Sequence, residues 1–287
     1  MKRILNKLIT YRDMCQPTKY LSIFESFGYL NFKVQKDRLL KLSAQLEACE
    51  ILGFNIDYQP DRLWKRALEL RKTSRETMKD VAGFPLWDPG PTIEAKIGSG
   101  FKGKTVCDVG CGNSPMSLIF AGMGANVYAV TWEPEDPGRQ HIGVVENPKI
   151  TLKTNVDYIK YSKENLKDSS VDLFLDGCSI THFIMPPSSD MSYSDACYFT
   201  GKEIARTMKD DGYFIVTSDV STFEEGVEIN SDFFISMRKM IKSYEDAGLK
   251  LFGDVSLPAE IYRRRMRLGS EEEEISVARL VFVKNNH

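Results

Sequence analysis

The sequence lacks any run of about 18 consecutive apolar residues, so no helical membrane span is expected. Its start, MKRILNKLIT, has neither the long apolar stretch nor the small-residue cleavage site of a secretory signal, and a cytoplasmic location is the resulting expectation. Positive charge is not in excess: 38 Lys and Arg against 40 Asp and Glu leave a formal net charge of -2. A protein that tracks nucleic-acid phosphates needs a basic surplus, so nucleic acid is not expected as a substrate. Cysteine is sparse and scattered, six residues with no CxxC pair, which argues against a disulfide framework and fits a reduced compartment. Cys107 and Cys111 are four apart with no third ligand nearby, so no metal site is expected of them.

What is present is enough apolar residue, 42% of the chain, to bury a substantial core. From Leu39 to Leu52, and again from Arg62 to Val81, apolar residues recur at helical spacing, so the first ninety or so residues read as mostly helical. The stretch from Phe84 to Pro91 carries three prolines and a glycine, which no regular helix or central strand tolerates, and it reads as a junction. Two regions are therefore expected: a helical cap or substrate region over 1–90 and an α/β domain over 91–287.

After Gly103 short apolar runs alternate with helical stretches, the signature of parallel strands joined by helices. The pattern predicts seven strands: Thr105 to Val109, Asn126 to Val130, Ile150 to Val156, Val171 to Leu175, Tyr213 to Ser218, Leu249 to Val255 and Ser276 to Lys284. Helices are predicted at Pro115 to Met123, Ser194 to Met208 and Ile229 to Ala247, the last closed by Gly248 as a left-handed cap.

The informative motif is TVCDVGCG over Thr105 to Gly112, an apolar strand running into Gly110 and Gly112, where missing side chains let a ligand approach the backbone. The loop continues through Asn113 into the apolar helix MSLIFAG, and a second strand follows Gly124. Strand, loop, helix and strand in that order build a nucleoside-binding crevice at the ends of parallel strands. The dinucleotide fingerprint of nicotinamide enzymes fails here, because the position three after Gly112 is Pro115.

With Asp108, Gly110 and Gly112 in this arrangement, the chain resembles the class I S-adenosylmethionine-dependent methyltransferases over roughly residues 90 to 285. The resemblance implies a doubly wound, mostly parallel seven-stranded sheet, Rossmann-like, with an antiparallel last strand. The long segment between Val255 and Ser276 suits the final hairpin. It implies S-adenosylmethionine as cofactor, with Asp108 and the backbone of Gly110, Cys111 and Gly112 along its methionine moiety and Asn113 in the same loop. At the end of the second strand, where the family usually has a ribose-binding acid, this chain has Thr131. Glu133, two residues on and on the same side of an extended backbone, is the nearest replacement, and Trp132 is placed to lie against the adenine. Asp157 and Tyr158 follow the third strand, where the family often has an acid that accepts from the adenine amino group.

The fourth strand ends in polar residues from Asp176 to His182, where an open sheet puts its reacting atoms. Of three histidines, His182 alone is expected at this edge, so His182, or else Asp176, is the candidate base. Asp176 and Asp219 also follow the fourth and fifth strands, but with no third oxygen ligand beside them a metal is not expected. The segment after Asp176 lacks the paired prolines of adenine amino-methylating enzymes, and none of the six cysteines follows a proline as the cytosine C5 enzymes require. The runs RRRMR at Arg263 to Arg267 and EEEE at Glu271 to Glu274 are expected to offset each other across a hairpin. The expectation is O-methylation of a small hydroxylated metabolite or sugar. A protein or lipid acceptor, and a non-catalytic cofactor-binding protein, are the alternatives. Oligomeric state is open.

Overall fold

The computed structural model describes residues 36–56, 58–59, 96–97, 99–111, 116–132, 148–177, 179, 191–221, 227–229, 232–253, 264–268 and 271–285. Its elements in chain order are α1 (Lys36–Ile51), β1 (Tyr58–Gln59), β2 (Lys96–Ile97), β3 (Thr105–Val109), α2 (Met116–Gly122), β4 (Asn126–Val130), β5 (Ile150–Lys153), α3 (Tyr158–Asn165) and β6 (Val171–Gly177). Then come α4 (Tyr193–Thr207), β7 (Met208–Ser221), β8 (Val227–Ile229), β9 (Asp232–Phe234), α5 (Met237–Asp246), β10 (Leu249–Leu251), β11 (Arg264–Leu268) and β12 (Glu271–Lys284).

Seven strands lie side by side in the order β10-β12-β7-β6-β3-β4-β5, with β11 added alongside β12. The five from β7 to β5 run parallel, while β12 is antiparallel to both β7 and β10. The strand order reverses between β3 and β6, because the chain fills one side with β4 and β5 before it returns to lay β6 against β3. That reversal opens a crevice beyond the carboxyl ends of these two strands.

Alternation of side chains along the strands feeds two cores. Val106, Val127, Ala129, Leu173, Leu175, Ile215 and Val281 point to one face, against Leu46, Ala48 and Cys49 of α1 and Met116, Ile119 and Phe120 of α2. Cys107, Val109, Val130, Phe174, Phe214, Val216 and Phe282 point to the other, against α3, α4 and α5. Burying a side chain of this size contributes roughly 1.5–3 kcal/mol each, before the cost of ordering the chain.

Helix α1 therefore shares the sheet's first core. Arg279 of β12 is buried on that face, donating to Glu47 Oε2 at 3.0 Å and to the Ala44 carbonyl at 3.4 Å. Burial pushes its guanidinium below its ordinary pKa, and Glu47 offsets part of that shift. Residues 60–95, with the second expected helix and the proline-rich junction, lie outside the described residues.

The first two strands and the helix between them fall where the pattern put them. Three differences have local causes. The third strand stops at Lys153 because Asp157 caps α3, which the sequence pattern did not reveal. The expected long helix from Ile229 begins only at Met237, since Val227–Ile229 pairs antiparallel with Asp232–Phe234 as β8 and β9. Strand β7 starts five residues early, at Met208, and a register irregularity opposite Val171 to Leu173 absorbs the extra length. Gly248 does close α5 with φ of 95°. Backbone register sets Arg265 opposite Glu274 and Arg267 opposite Glu272, the hairpin expected from the two charge runs. Among the described residues no helix is long and apolar enough to cross a membrane.

Candidate active site at the strand-order reversal

Strand β3 delivers the glycine motif to the crevice. Asp108 is 3% exposed, and its carboxylate accepts a hydrogen bond from Ser117 Oγ of α2 at 2.8 Å. The acid thus joins the strand to the helix that follows the glycine turn. Gly110 ends the strand with φ of 64°, a conformation that L side chains rarely adopt. The Cys111 amide then donates to the Val130 carbonyl at 2.9 Å, which holds the turn against the end of β4.

The missing side chain of Gly110 has a second cause. A Cβ built there would overlap the side chain of Ser179. The volume that a side chain at this glycine would need is thus filled by Ser179. Ser179 is 2% exposed, and its Oγ donates to the Val109 carbonyl at 2.7 Å. Nothing in the motif singled it out; the signal was its place three residues beyond Asp176, within reach of an Asx-type turn.

Asp176 is fully buried, and its Oδ1 accepts from the Ser179 amide at 2.7 Å and lies against Ser179 Oγ. This side chain is on the face of Phe174, toward α4, whereas Asp108 is on the opposite face with α2. Asp176, the alternative to His182 as base, is shielded from solvent, and its described contacts brace Ser179. Asp219 is three residues along β7 from Val216, the register partner of Asp176, so alternation sends the two acids to opposite faces. They do not converge on one cation. Cys107 and Cys111 likewise enter different cores, and burial, reinforced by the neighbouring Asp108, pushes the Cys107 thiol pKa up.

At the second strand, Thr131 is buried, its amide donating to the Lys153 carbonyl at 2.8 Å, and Trp132 is half-buried. Asp157 is the N-cap of α3, accepting from the amides of Ile159 at 2.6 Å and Lys160 at 3.3 Å. That task accounts for one of its oxygens by purely local means. Tyr158 is 1% exposed and stands edge-on to Phe174 in the second core. Burial, with the nearby Cys107 thiol, pushes its phenol well above the ordinary value. Gly112, Asn113, Glu133 and His182 lie outside the described residues.

A mostly parallel seven-strand path with an antiparallel last strand, and a left-handed glycine turn beside the order reversal, match the expected architecture. The fold is a doubly wound, mostly parallel α/β sheet. No known protein family and no curated protein matches the chain by sequence. Solved structures resemble it at low identity. A 1,6-didemethyltoxoflavin-N1-methyltransferase from Burkholderia thailandensis, solved with S-adenosylhomocysteine, is 14% identical with a TM-score of 0.46, covering 80% of this chain and 94% of its own. A structure from Listeria monocytogenes described as an S-adenosylmethionine-dependent methyltransferase is 15% identical with a TM-score of 0.44, over 65% of this chain and 93% of its own. A TehB-like methyltransferase from Corynebacterium glutamicum is 13% identical with a TM-score of 0.40, over 77% of this chain and 97% of its own.

Proposed function

We propose that the chain binds S-adenosylmethionine in the crevice between β3 and β6 and transfers its methyl group to a small hydroxylated metabolite or sugar. The observation that carries this reading is the left-handed turn at Gly110, seated where the strand order reverses, with Asp108 tied by Ser117 to the following helix. The bound cofactor supplies an electrophilic methyl group on a sulfonium. The backbone from Gly110 through Cys111 and Gly112 to Asn113 would hold its amino-acid end. Thr131, Trp132 and Glu133 would face the ribose and adenine, and Asp157 would sit at the adenine edge.

In-line displacement asks the protein chiefly to align the acceptor and, for a hydroxyl, to accept its proton. His182 is the base in this reading, because the Asp176 carboxylate already accepts from the Ser179 amide. The near-balance of charge supports a small acceptor over a polyanion. Thr131 favours a second reading, a non-catalytic cofactor-binding protein, since the usual ribose acid is replaced by a buried hydroxyl.

Calorimetry with S-adenosylhomocysteine tests the first step, and no heat of binding at high micromolar concentration would sink both readings. Asp108→Ala is expected to weaken that binding. Given binding, turnover in a metabolite screen with S-adenosylmethionine separates an enzyme from a binding protein. His182→Ala should lower that turnover by about 100-fold while leaving S-adenosylhomocysteine affinity in place.

A further inference from the structure

We infer that Ser179 is a positioning residue that sets the spacing between the cofactor turn and the fourth-strand loop. This inference rests on the cofactor assignment proposed above. Three separate contacts converge on it. Its hydroxyl donates to the Val109 carbonyl at 2.7 Å, across the gap between the two strands at the reversal. Its amide donates at 2.7 Å to Oδ1 of Asp176, the register partner of Val109. Its Cβ and Oγ occupy the volume that any side chain at position 110 would need.

A fourth contact braces this unit from outside the motif. Gln45 of α1 is 1% exposed, and its Nε2 donates to the Asp176 carbonyl at 2.7 Å. A buried amide without a partner would cost about 1–3 kcal/mol, so Gln45 and the Asp176 backbone hold one another. The end of β6 and Ser179 are thereby fixed relative to both the glycine turn and the N-terminal helix. A crevice that must present a methyl group in line to an acceptor depends on that spacing, and small misplacements there are costly.

The test measures S-adenosylhomocysteine affinity by calorimetry, at a temperature where melting curves show each variant fully folded. Ser179→Ala should weaken binding by about tenfold, the loss of one buried hydrogen bond and the order it imposes. Asp172→Asn, at the opposite end of the sheet, should lower the melting temperature at least as much yet leave affinity unchanged. Gly110→Ala should weaken binding more than Ser179→Ala, and Gly110→Ala combined with Ser179→Gly should recover part of it, since the colliding Cβ is gone. Equal affinity of Ser179→Ala and wild type, equal weakening by Asp172→Asn, or no recovery in the double variant would each overturn the inference. Failure of the wild type to bind would instead overturn the cofactor assignment itself.

Discussion

The two ends of the parallel sheet hold a buried aspartate by different means. At the amino end, Asp172 accepts from the Thr105 amide at 2.8 Å, Lys104 Nζ at 3.0 Å and Lys209 Nζ at 2.9 Å. Burial opposes its charge, but the amide and the two lysines outweigh that and hold its carboxyl below the ordinary carboxylate range. At the carboxyl end, Asp176 accepts from the amide of Ser179 at its carboxylate and from Gln45 at its backbone carbonyl. The lysines are part-exposed and can adjust, so the amino end tolerates small movements. The contacts at Asp176 are buried and short, so the carboxyl end transmits them.

The largest effect is expected when the carboxyl half loses its grip on α1. Arg279→Ala removes a buried partner of Glu47 and leaves a cavity, and a denaturant melt should show a loss of about 3 kcal/mol. Next, Asp172→Asn should cost about 2 kcal/mol at pH 7. The sign of its pH dependence follows from the depressed carboxyl: its stabilisation is present above the ordinary carboxylate pKa and is lost as pH falls through the lower folded-state value. The gap between wild type and Asp172→Asn should therefore close on acidification below about pH 4, and a constant gap would show that Asp172 is not held by charge. The smallest stability change, about 1 kcal/mol, is expected for Gln45→Leu, which keeps an apolar contact but removes the donor to Asp176. It sharpens the comparison because cofactor affinity should fall several-fold with it, whereas Asp172→Asn should leave affinity alone.

Much of the architecture was legible in the residues. Strands β3 and β4 and helix α2 are short, strongly apolar and bounded by glycines, so the burial pattern and the local breaks agree. Helix α3 was missed because only Tyr158, Tyr161 and Ser162 of its eight residues are buried, too few to stand out as a periodic stripe. Ile229 and Asp232–Phe234 fall inside the expected helix because the apolar residues here also satisfy helical spacing, and strand pairing decides otherwise. At the site, the motif alone points to Asp108 and Gly110, while Tyr158 is singled out only by its position after a strand. Its true place in the core depends on which side of α3 meets the sheet. Ser179 and Gln45 were not found, because their partners lie 70 and 131 residues away in the chain.

The sequence by itself determined the alternation of strands and helices, the glycine turn after Val109 and the absence of a dinucleotide fingerprint, because these are set by neighbours within a few residues. Only the tertiary structure decided that α1 belongs to the sheet's first core, that Asp108 and Asp176 face opposite ways, and that Gly110 is bare partly to admit Ser179. Such facts depend on which strands become neighbours, and that follows from burying two apolar faces at once across the whole chain.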